Sequence, residues 1–467
     1  MLTHALAFDP ASPTPILAAL PESPGIFALF GADPHAEPYL ARTTNLRRRL
    51  KRFLDAKPTQ TKRLRLTERV VRIEYSPTGS DFESNLALYN ATHQAFGERA
   101  RKRLHLYAPY FLRMTAKNRY PRVYVTNTIT KAAAECLYGP FPSRAAAERY
   151  CDEALNLFQL RRCHEELNPD PTFPGSVYSE MKMCLAPCFQ GCTDDRYAAE
   201  AAKVQAFLET RGQSLLQELA KERDLASEDL DFEKAATLHA KIQKVEAVAA
   251  QASEAIHPLA QLRAIIIQPA IQTESEPGKV AVFQLTGGQL TGPALYDTLG
   301  MRLHNEQSGS SSLYTHPYAL EAVPLPNTGP LTHSHPTEAE TNPENQAANN
   351  STAAIATKSK DTLKEKPKDV LEQRLLEALQ TLTPPTARTS KDTQTTADHL
   401  SLFTRWYYRS ENKKVGEAIF YTPTEPVPTK QVLRAISRVF RANLPNANLL
   451  KPERVSPPAA PTINLSS

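Results

Sequence analysis

The chain has 467 residues, of which 41% are hydrophobic and 22% charged, and its formal net charge is +5 at pH 7. This length allows several modest domains with apolar cores, and no stretch approaches the roughly 20 apolar residues of a membrane-spanning helix. The first residues have neither a positive start nor a continuous apolar segment. The sequence therefore predicts no membrane partner, no secretory signal and a cytoplasmic location.

The N-terminal region, residues 15–130, alternates short β-prone runs with basic or amphipathic stretches, which predicts a small mixed α+β domain. Within it, six of the eleven residues from Arg42 to Arg52 are Arg or Lys. Nucleic-acid phosphates are bound mainly by these two residue types. The cluster favours a phosphate-binding surface, although basic runs are more often merely solvated faces.

A cysteine-rich segment is predicted over residues 131–194, because all six cysteines lie between Cys136 and Cys192. In a reducing compartment, such a local cluster indicates a metal-binding site in preference to disulfide bonds. Residues 143–163 have the apolar spacing of an amphipathic helix, with Ser143 as its predicted N-cap. Cys136 and Cys151 have the simpler interpretation of buried apolar side chains.

Residues 195–252 contain no Pro and one Gly, and they predict two helices in a hairpin, with Ser227 capping the second helix. Four further segments are predicted beyond the hairpin from composition and periodicity. They are a short β segment with a Gly-Gly turn over 257–302, a disordered linker over 303–368, a mainly helical region over 369–450 and a disordered tail over 451–467.

Eight short motifs follow one another along the first half of the chain. They are PGIF at 24–27, YLA at 39–41, NLRRRLKRF at 45–53, RYPRVYVT at 119–126, YGPFPS at 138–143, LFQLRRC at 157–163, CLAPC at 184–188 and LDFEKAA at 230–236. The series resembles the UvrC family, the nicking subunits of bacterial nucleotide excision DNA repair, and its relative Cho. This resemblance implies an N-terminal GIY-YIG nuclease domain and a UVR motif.

The resemblance also implies a degenerate nuclease site. In the family a Tyr activates water, a Glu holds a divalent metal ion and an Arg stabilises the scissile phosphate. The matching positions that keep a suitable side chain are Tyr39, Arg42 and Arg49. The positions that lose it are Phe27 and Phe53, in place of two Tyr residues, and Leu88, in place of the metal-binding Glu.

Magnesium requires oxygen ligands, which Leu88 lacks. An active enzyme would need Mg²⁺ and a shifted alignment in which Asp81 or Glu83 holds it. We therefore expect a domain that binds DNA without cutting it, through Arg47, Arg48, Lys51 and Arg52. Two alternatives stay open: a single metal-dependent incision in damaged DNA, and a structural remnant without a DNA role.

The UvrC family carries four cysteines that are understood to bind an iron–sulfur cluster. Cys163 matches the first of them, and Cys184 and Cys188 match the last two, whereas the second family position falls near Pro174 and Gly175, where this sequence has no cysteine. Cys192 is the preferred replacement, and Cys151 is a second one. Zinc is the alternative to the iron–sulfur cluster at the same site.

The stretch LASEDLDFEKAATLHAKIQKVEAV at 225–248 resembles the UVR motif, through which UvrC proteins bind UvrB. The resemblance implies contacts to UvrB from Phe232, Ala235 and Ala236, with Glu233 at the rim. We expect Phe232 to share one apolar helix face with Ile242 and Val245. A hairpin that packs on its own domain is the alternative.

Two later stretches, 279–293 and 402–408, resemble the region that precedes the RNase H-like nuclease of the family. The segment 369–450 is accordingly interpreted as a remnant of that region. We expect neither of the two cutting centres of the family to be intact in this chain.

Overall fold

The computed structural model describes residues 2–33, 35–54, 69–271, 278–298, 367–382 and 390–443. These residues form an α+β protein that contains three four-stranded antiparallel sheets, which confirms the predicted class. Nearly all of them belong to a compact unit of residues 1–298 and 374–467. Among the described helices, none combines the length and apolarity needed to cross a membrane. The predicted linker, apart from its last two positions, and the predicted tail lie outside the described residues.

The N-terminal sheet has the strand order β1-β4-β2-β3. Its strands are β1 (His4–Ala7), β2 (Gly25–Gly31), β3 (Tyr39–Thr43) and β4 (Val70–Pro77), and its helices are α1 (Pro13–Ala18), α2 (Leu46–Leu54) and α3 (Asp81–Phe96). Leu46, Leu50 and Leu54 recur every fourth residue, so α2 presents one apolar stripe. That stripe lies in the same core as Phe27 and Leu29 of β2, and the basic residues of α2 lie outside it.

The middle sheet has the order β6-β5-β7-β8. Its strands are β5 (Tyr110–Met114), β6 (Val123–Thr126), β7 (Leu137–Phe141) and β8 (His257–Pro258), and the helices of this region are α4 (Ala100–Arg103), α5 (Arg144–Leu155), α6 (Val177–Glu180) and α7 (Asp194–Glu209). The Ser143 side chain accepts the Ala146 N–H at 3.1 Å, which confirms the predicted N-cap. Leu112 of β5, Tyr150 of α5 and Phe207 of α7 share one core, so both helices pack on this sheet.

Residues 195–252 form three helices and not the predicted two. The end of α7 is followed by α8 (Gln213–Glu228) and α9 (Phe232–Ala249). The break falls at Gly212, whose φ of +89° is accessible to glycine at little cost. Ser227 lies inside α8, so its predicted capping role was wrong. Asp231 caps α9 instead, by accepting the Lys234 N–H at 3.1 Å.

The third sheet has the order β11-β10-β9-β12. Its strands are β9 (Arg263–Pro269), β10 (Lys279–Thr286), β11 (Gln289–Asp297) and β12 (Glu417–Phe420), and the later helices are α10 (Pro367–Gln380), α11 (Ser390–Tyr407) and α12 (Thr429–Ala442). Gly287 and Gly288, both with positive φ, turn β10 into β11 as the Gly-Gly pair predicted. Strand β12 pairs with β9, which brings two segments that are distant in sequence into one sheet.

Helix α3 joins the N-terminal region to the third sheet. Phe82 of α3 lies 5.1 Å, between ring centroids, from both Phe283 and Trp406. One turn and two turns further along α3, Leu86 and Tyr89 belong to the same core. Leu88, which matches the family's metal-binding Glu, therefore lies on a helix that is held in place by the core of the third sheet.

Candidate nucleic-acid interface

An aromatic cluster occupies the place where the sequence predicts the degenerate nuclease site. The Phe27 ring is completely buried, and its centroid lies 6.1 Å from that of Tyr39 and 6.2 Å from that of Phe53. Tyr39 itself is 44% exposed. The guanidinium of Arg49 lies 4.4 Å from the centre of the Phe53 ring, a cation–π contact. The structure thus brings together four of the residues that the resemblance singles out.

The neighbouring carboxylates are engaged elsewhere. Asp81 is ion-paired with Arg42 and, at 2.7 Å, with Arg409 of the C-terminal region. Glu83 accepts the Gly79 N–H at 2.8 Å and donates its own N–H to Ser80, so it closes the first turn of α3. Burial raises the pKa of Glu83, and the Gly79 hydrogen bond only partly offsets this shift.

Leu88 is half-buried on α3 and brings no oxygen ligand to this region. Across the described parts of the chain, no three His, Cys, Asp or Glu side chains are placed to hold one metal ion. The retained Arg42 forms a structural ion pair, while Tyr39 and Arg49 stay at the surface of an aromatic core. This arrangement can place a positive charge beside a phosphate, but it supplies no carboxylate for a hard cation.

The outer side of α2 is a cationic face, which we define as Arg48, Lys51 and Arg52. All three side chains are exposed, and at spacings of three and four residues they lie on the same side of the helix. Within the described ranges, none of the three has a carboxylate partner. Asn45 caps this helix by accepting the Arg48 N–H at 2.8 Å. Such a cluster of like charges is favourable beside a polyanion and unfavourable alone.

Arg47 has a different environment from the rest of the basic run. Its Nε donates to the Leu20 carbonyl at 2.6 Å, and its Nη1 lies 2.6 Å from a Glu22 carboxylate oxygen. These contacts tie the start of α2 to the loop after α1. Arg47 is therefore already neutralised in the fold, which leaves the cationic face as the part of the basic run available to phosphate.

The cysteine loop, which we define as residues 184–192, contains Cys184, Cys188 and Cys192. Burial raises the pKa of Cys184, and the charges of Cys188 and Cys163 raise it further. Burial likewise raises the pKa of Cys192, with a smaller contribution from Cys184 and Cys188. Cys184 therefore interacts electrostatically with Cys163, Cys188 and Cys192, although within the described residues these cysteines do not form a group placed to hold one metal ion.

The surroundings of these thiols carry hydrogen-bond donors. A backbone hydrogen bond from Ala186 lowers the pKa of Cys184 and partly offsets the effect of burial. The buried Arg161 directs its Nη1 to within 3.5 Å of the Cys163 sulfur and also donates to the Tyr120 and Glu165 carbonyls. Donors of this kind stabilise thiolate ligands. Cys151 is different, because it lies in the middle core, where burial raises its pKa to about 12.

The tip of the α8–α9 hairpin exposes three large apolar side chains. Leu225, Leu230 and Phe232 are 60%, 70% and 66% exposed, respectively. Ala236 and Glu233 are also exposed, and Ala235 is half-buried. Ile242 and Val245, further along α9, are buried against the protein, so their environment differs from that of the exposed Phe232. The helix has an inner face toward its own domain and an apolar tip that points away from it.

The sequence interpretation missed Leu225 and Leu230 as parts of this tip. The available signal for Leu230 was its position between Asp229 and Asp231, where turn residues are expected to be polar, whereas Leu225 lies one turn earlier, inside α8. It also missed the Asp81–Arg409 ion pair, for which the sequence offers no signal because the two residues are far apart along the chain.

The family described as the UvrC/Cho excinuclease middle domain matches residues 109–207, which comprise strands β5, β6 and β7 of the middle sheet, α5, α6, the cysteine loop and most of α7. No solved structure is similar enough to the chain to count as a match.

Curated proteins named UvrABC system protein C are similar to this chain, and three of them show the degree of similarity. The protein from Idiomarina loihiensis is 26% identical over 226 residues, which cover 48% of this chain and 36% of the relative. Those from Brucella suis and Symbiobacterium thermophilum are 28% and 29% identical over 283 and 281 residues, or 59% of this chain in both cases. The matches cover 44% and 43% of these two relatives, so the chain spans less than half the length of the proteins it resembles. The chain is therefore similar to the UvrC/Cho excinuclease middle domain over residues 109–207, and to UvrABC system protein C over about half of its own length.

Proposed function

We propose that this chain acts in nucleotide excision repair as a DNA-binding, UvrB-binding protein whose N-terminal GIY-YIG-like domain holds DNA without cutting it. The observation that carries the proposal is the cationic face of α2. It exposes three cations that have no carboxylate partner in the described chain, directly beside an aromatic cluster that lacks metal ligands. Similarity to UvrABC system protein C supports the repair context.

DNA binding should depend strongly on salt, because each phosphate contact releases condensed counterions. Replacing Arg48, Lys51 and Arg52 together by Gln should weaken binding to all duplex sequences alike. It should also lower the slope of log affinity against log salt by about 2 to 3, at roughly 0.9 per lost contact. The measurement is a fluorescence anisotropy titration at several salt concentrations.

The matched control replaces the exposed Lys221, Lys241 and Lys244 of the helical hairpin by Gln, which removes the same charge from another surface. The control should leave the slope unchanged. Equal losses in both triple variants, or salt-independent binding of the unmodified chain, would contradict a specific role of α2.

The proposal excludes cleavage by the N-terminal domain. Removing one essential catalytic group commonly lowers the rate by a factor of about 1,000 or more, and here Phe27 and Leu88 replace two. We expect no nicking of damaged duplex DNA in Mg²⁺ or Mn²⁺, measured by relaxation of a UV-irradiated supercoiled plasmid. Metal-dependent nicking that disappears in Arg49→Ala would instead establish the alternative, a single-incision endonuclease.

We further propose that the apolar tip of the hairpin binds UvrB. Phe232→Ala should weaken that binding by at least about 2 kcal/mol, roughly 30-fold, because a large exposed apolar side chain is typical of an interface anchor. Its thermal unfolding should not change, since Phe232 is 66% exposed. Phe173→Ala, which removes a Phe that is 44% exposed in the cysteine-rich segment, is the matched control. Equal affinity of the two variants for UvrB would place the interface elsewhere.

Finally, we propose that Cys163, Cys184, Cys188 and Cys192 ligate an iron–sulfur cluster, with thiolates as the ligands that such clusters require. Anaerobically purified protein should then contain iron and sulfide and absorb in the visible range. Cys184→Ser should lose both the metal and the absorption, whereas Cys136→Ser should retain them. Zinc without iron would identify the zinc alternative, and full loading in Cys184→Ser would contradict the assignment.

A further inference from the structure

The ribbon formed by β5 and β6 carries an aromatic ring that has two guanidinium groups close to it. Arg113 and Tyr124 are direct cross-strand partners. The Arg113 guanidinium lies 6.0 Å from the centre of the Tyr124 ring, and that of Arg122 lies 4.7 Å from the same centre. All three side chains are partly exposed, and β6 is the edge strand of its sheet.

The ribbon's two faces differ in character. Leu112, Met114 and Val123 are buried in the middle core. Side chains alternate between the faces of a sheet, so Arg113 and Tyr124 lie on the face away from that core. The Arg–Tyr–Arg group is therefore not part of the packing that stabilises α5 and α7.

Neither arginine of this group has a carboxylate partner in the described parts of the chain. Arg122 donates to Nδ1 of His164 at 2.6 Å, which leaves its positive charge uncompensated. The nearby Asp194 is already bound by Arg119 at 2.6 Å and by the Tyr120 hydroxyl at 2.7 Å. Two partly desolvated guanidinium groups without counter-charge are unfavourable in the free protein, so the group is better suited to an anionic ligand.

We propose that Arg113, Arg122 and Tyr124 bind unpaired nucleotides of a single DNA strand, with a base stacked on Tyr124 and the flanking phosphates on the two arginines. Single-strand binding sites combine a basic track with aromatic side chains on which bases stack. An intact duplex offers phosphates but keeps its bases stacked inside. This inference deepens the proposed DNA-binding function and rests on it.

The test uses the full chain and two fluorescent probes, an oligothymidylate and a duplex of the same length. Tyr124→Leu should weaken binding of the oligothymidylate about tenfold, since one base stack contributes roughly 1 to 3 kcal/mol. Tyr124→Phe keeps the ring and should bind as the unmodified protein does. Tyr107→Leu, at a Tyr that is 71% exposed outside the ribbon, should also have no effect.

The same titrations separate this inference from the proposed function. Duplex affinity should be unchanged by Tyr124→Leu but lowered by the Gln triple variant of the cationic face. Unchanged oligothymidylate binding in a folded Tyr124→Leu overturns the inference and leaves the role of α2 intact. A loss in Arg113→Gln with Arg122→Gln, without a loss in Tyr124→Leu, also overturns it, because such a surface would recognise an acidic polymer by charge alone. Failure to bind either probe would refute both proposals.

Discussion

The contact of Phe82 with Phe283 and Trp406 is the interaction on which the rest of the structure depends. Through this contact, α3 becomes part of a core that is built mainly by the third sheet and α11. Helix α3 also directly follows β4 along the chain, so it links this core to the N-terminal sheet. Two turns along α3 from Phe82, the Tyr89 hydroxyl lies 3.5 Å from the buried Asp398, which is paired with Arg101 at 3.2 Å. A carboxylate in this position requires such a partner, because an unpaired buried charge is very unfavourable. The packing of α3 and α11 thus orders the chain from its first domain to its C-terminal region.

The N-terminal site follows from that constraint. Aromatic rings occupy the centre of the site, and the two carboxylates at the start of α3 are engaged by arginines and by a helix-capping hydrogen bond. One of those arginines, Arg409, comes from just beyond α11, so the C-terminal region directly neutralises Asp81. Positive charge remains on the outside of α2, where water and phosphate can reach it. A surface of this kind stabilises a bound polyanion without activating water for attack on it.

Three groups of side chains that we propose as binding surfaces lie at the periphery of the described cores. They are the cationic face of α2, the apolar tip of the α8–α9 hairpin and the Arg–Tyr–Arg group of the β5–β6 ribbon. Each of these groups lowers its free energy only by contact with something outside the domain: phosphate, an apolar partner surface or an unpaired base. The three groups lie on different elements, namely α2, the α8–α9 hairpin and the β5–β6 ribbon, so each of the proposed contacts can be tested separately.

The sequence by itself determined the class of the fold, the Ser143 cap, the Gly-Gly turn of the third sheet and the basic face of α2. Each depends on interactions between residues a few positions apart, such as apolar spacing, N-capping or the positive φ of glycine. It did not determine which end of α9 is exposed, because Phe232 and Ile242 are equally apolar and only the position of the middle core separates them. The sequence likewise did not predict the ion pairs of Asp81. Arg42 and Arg409 reach that carboxylate from distant parts of the chain, and only the packing of α3 against α11 brings Arg409 to it.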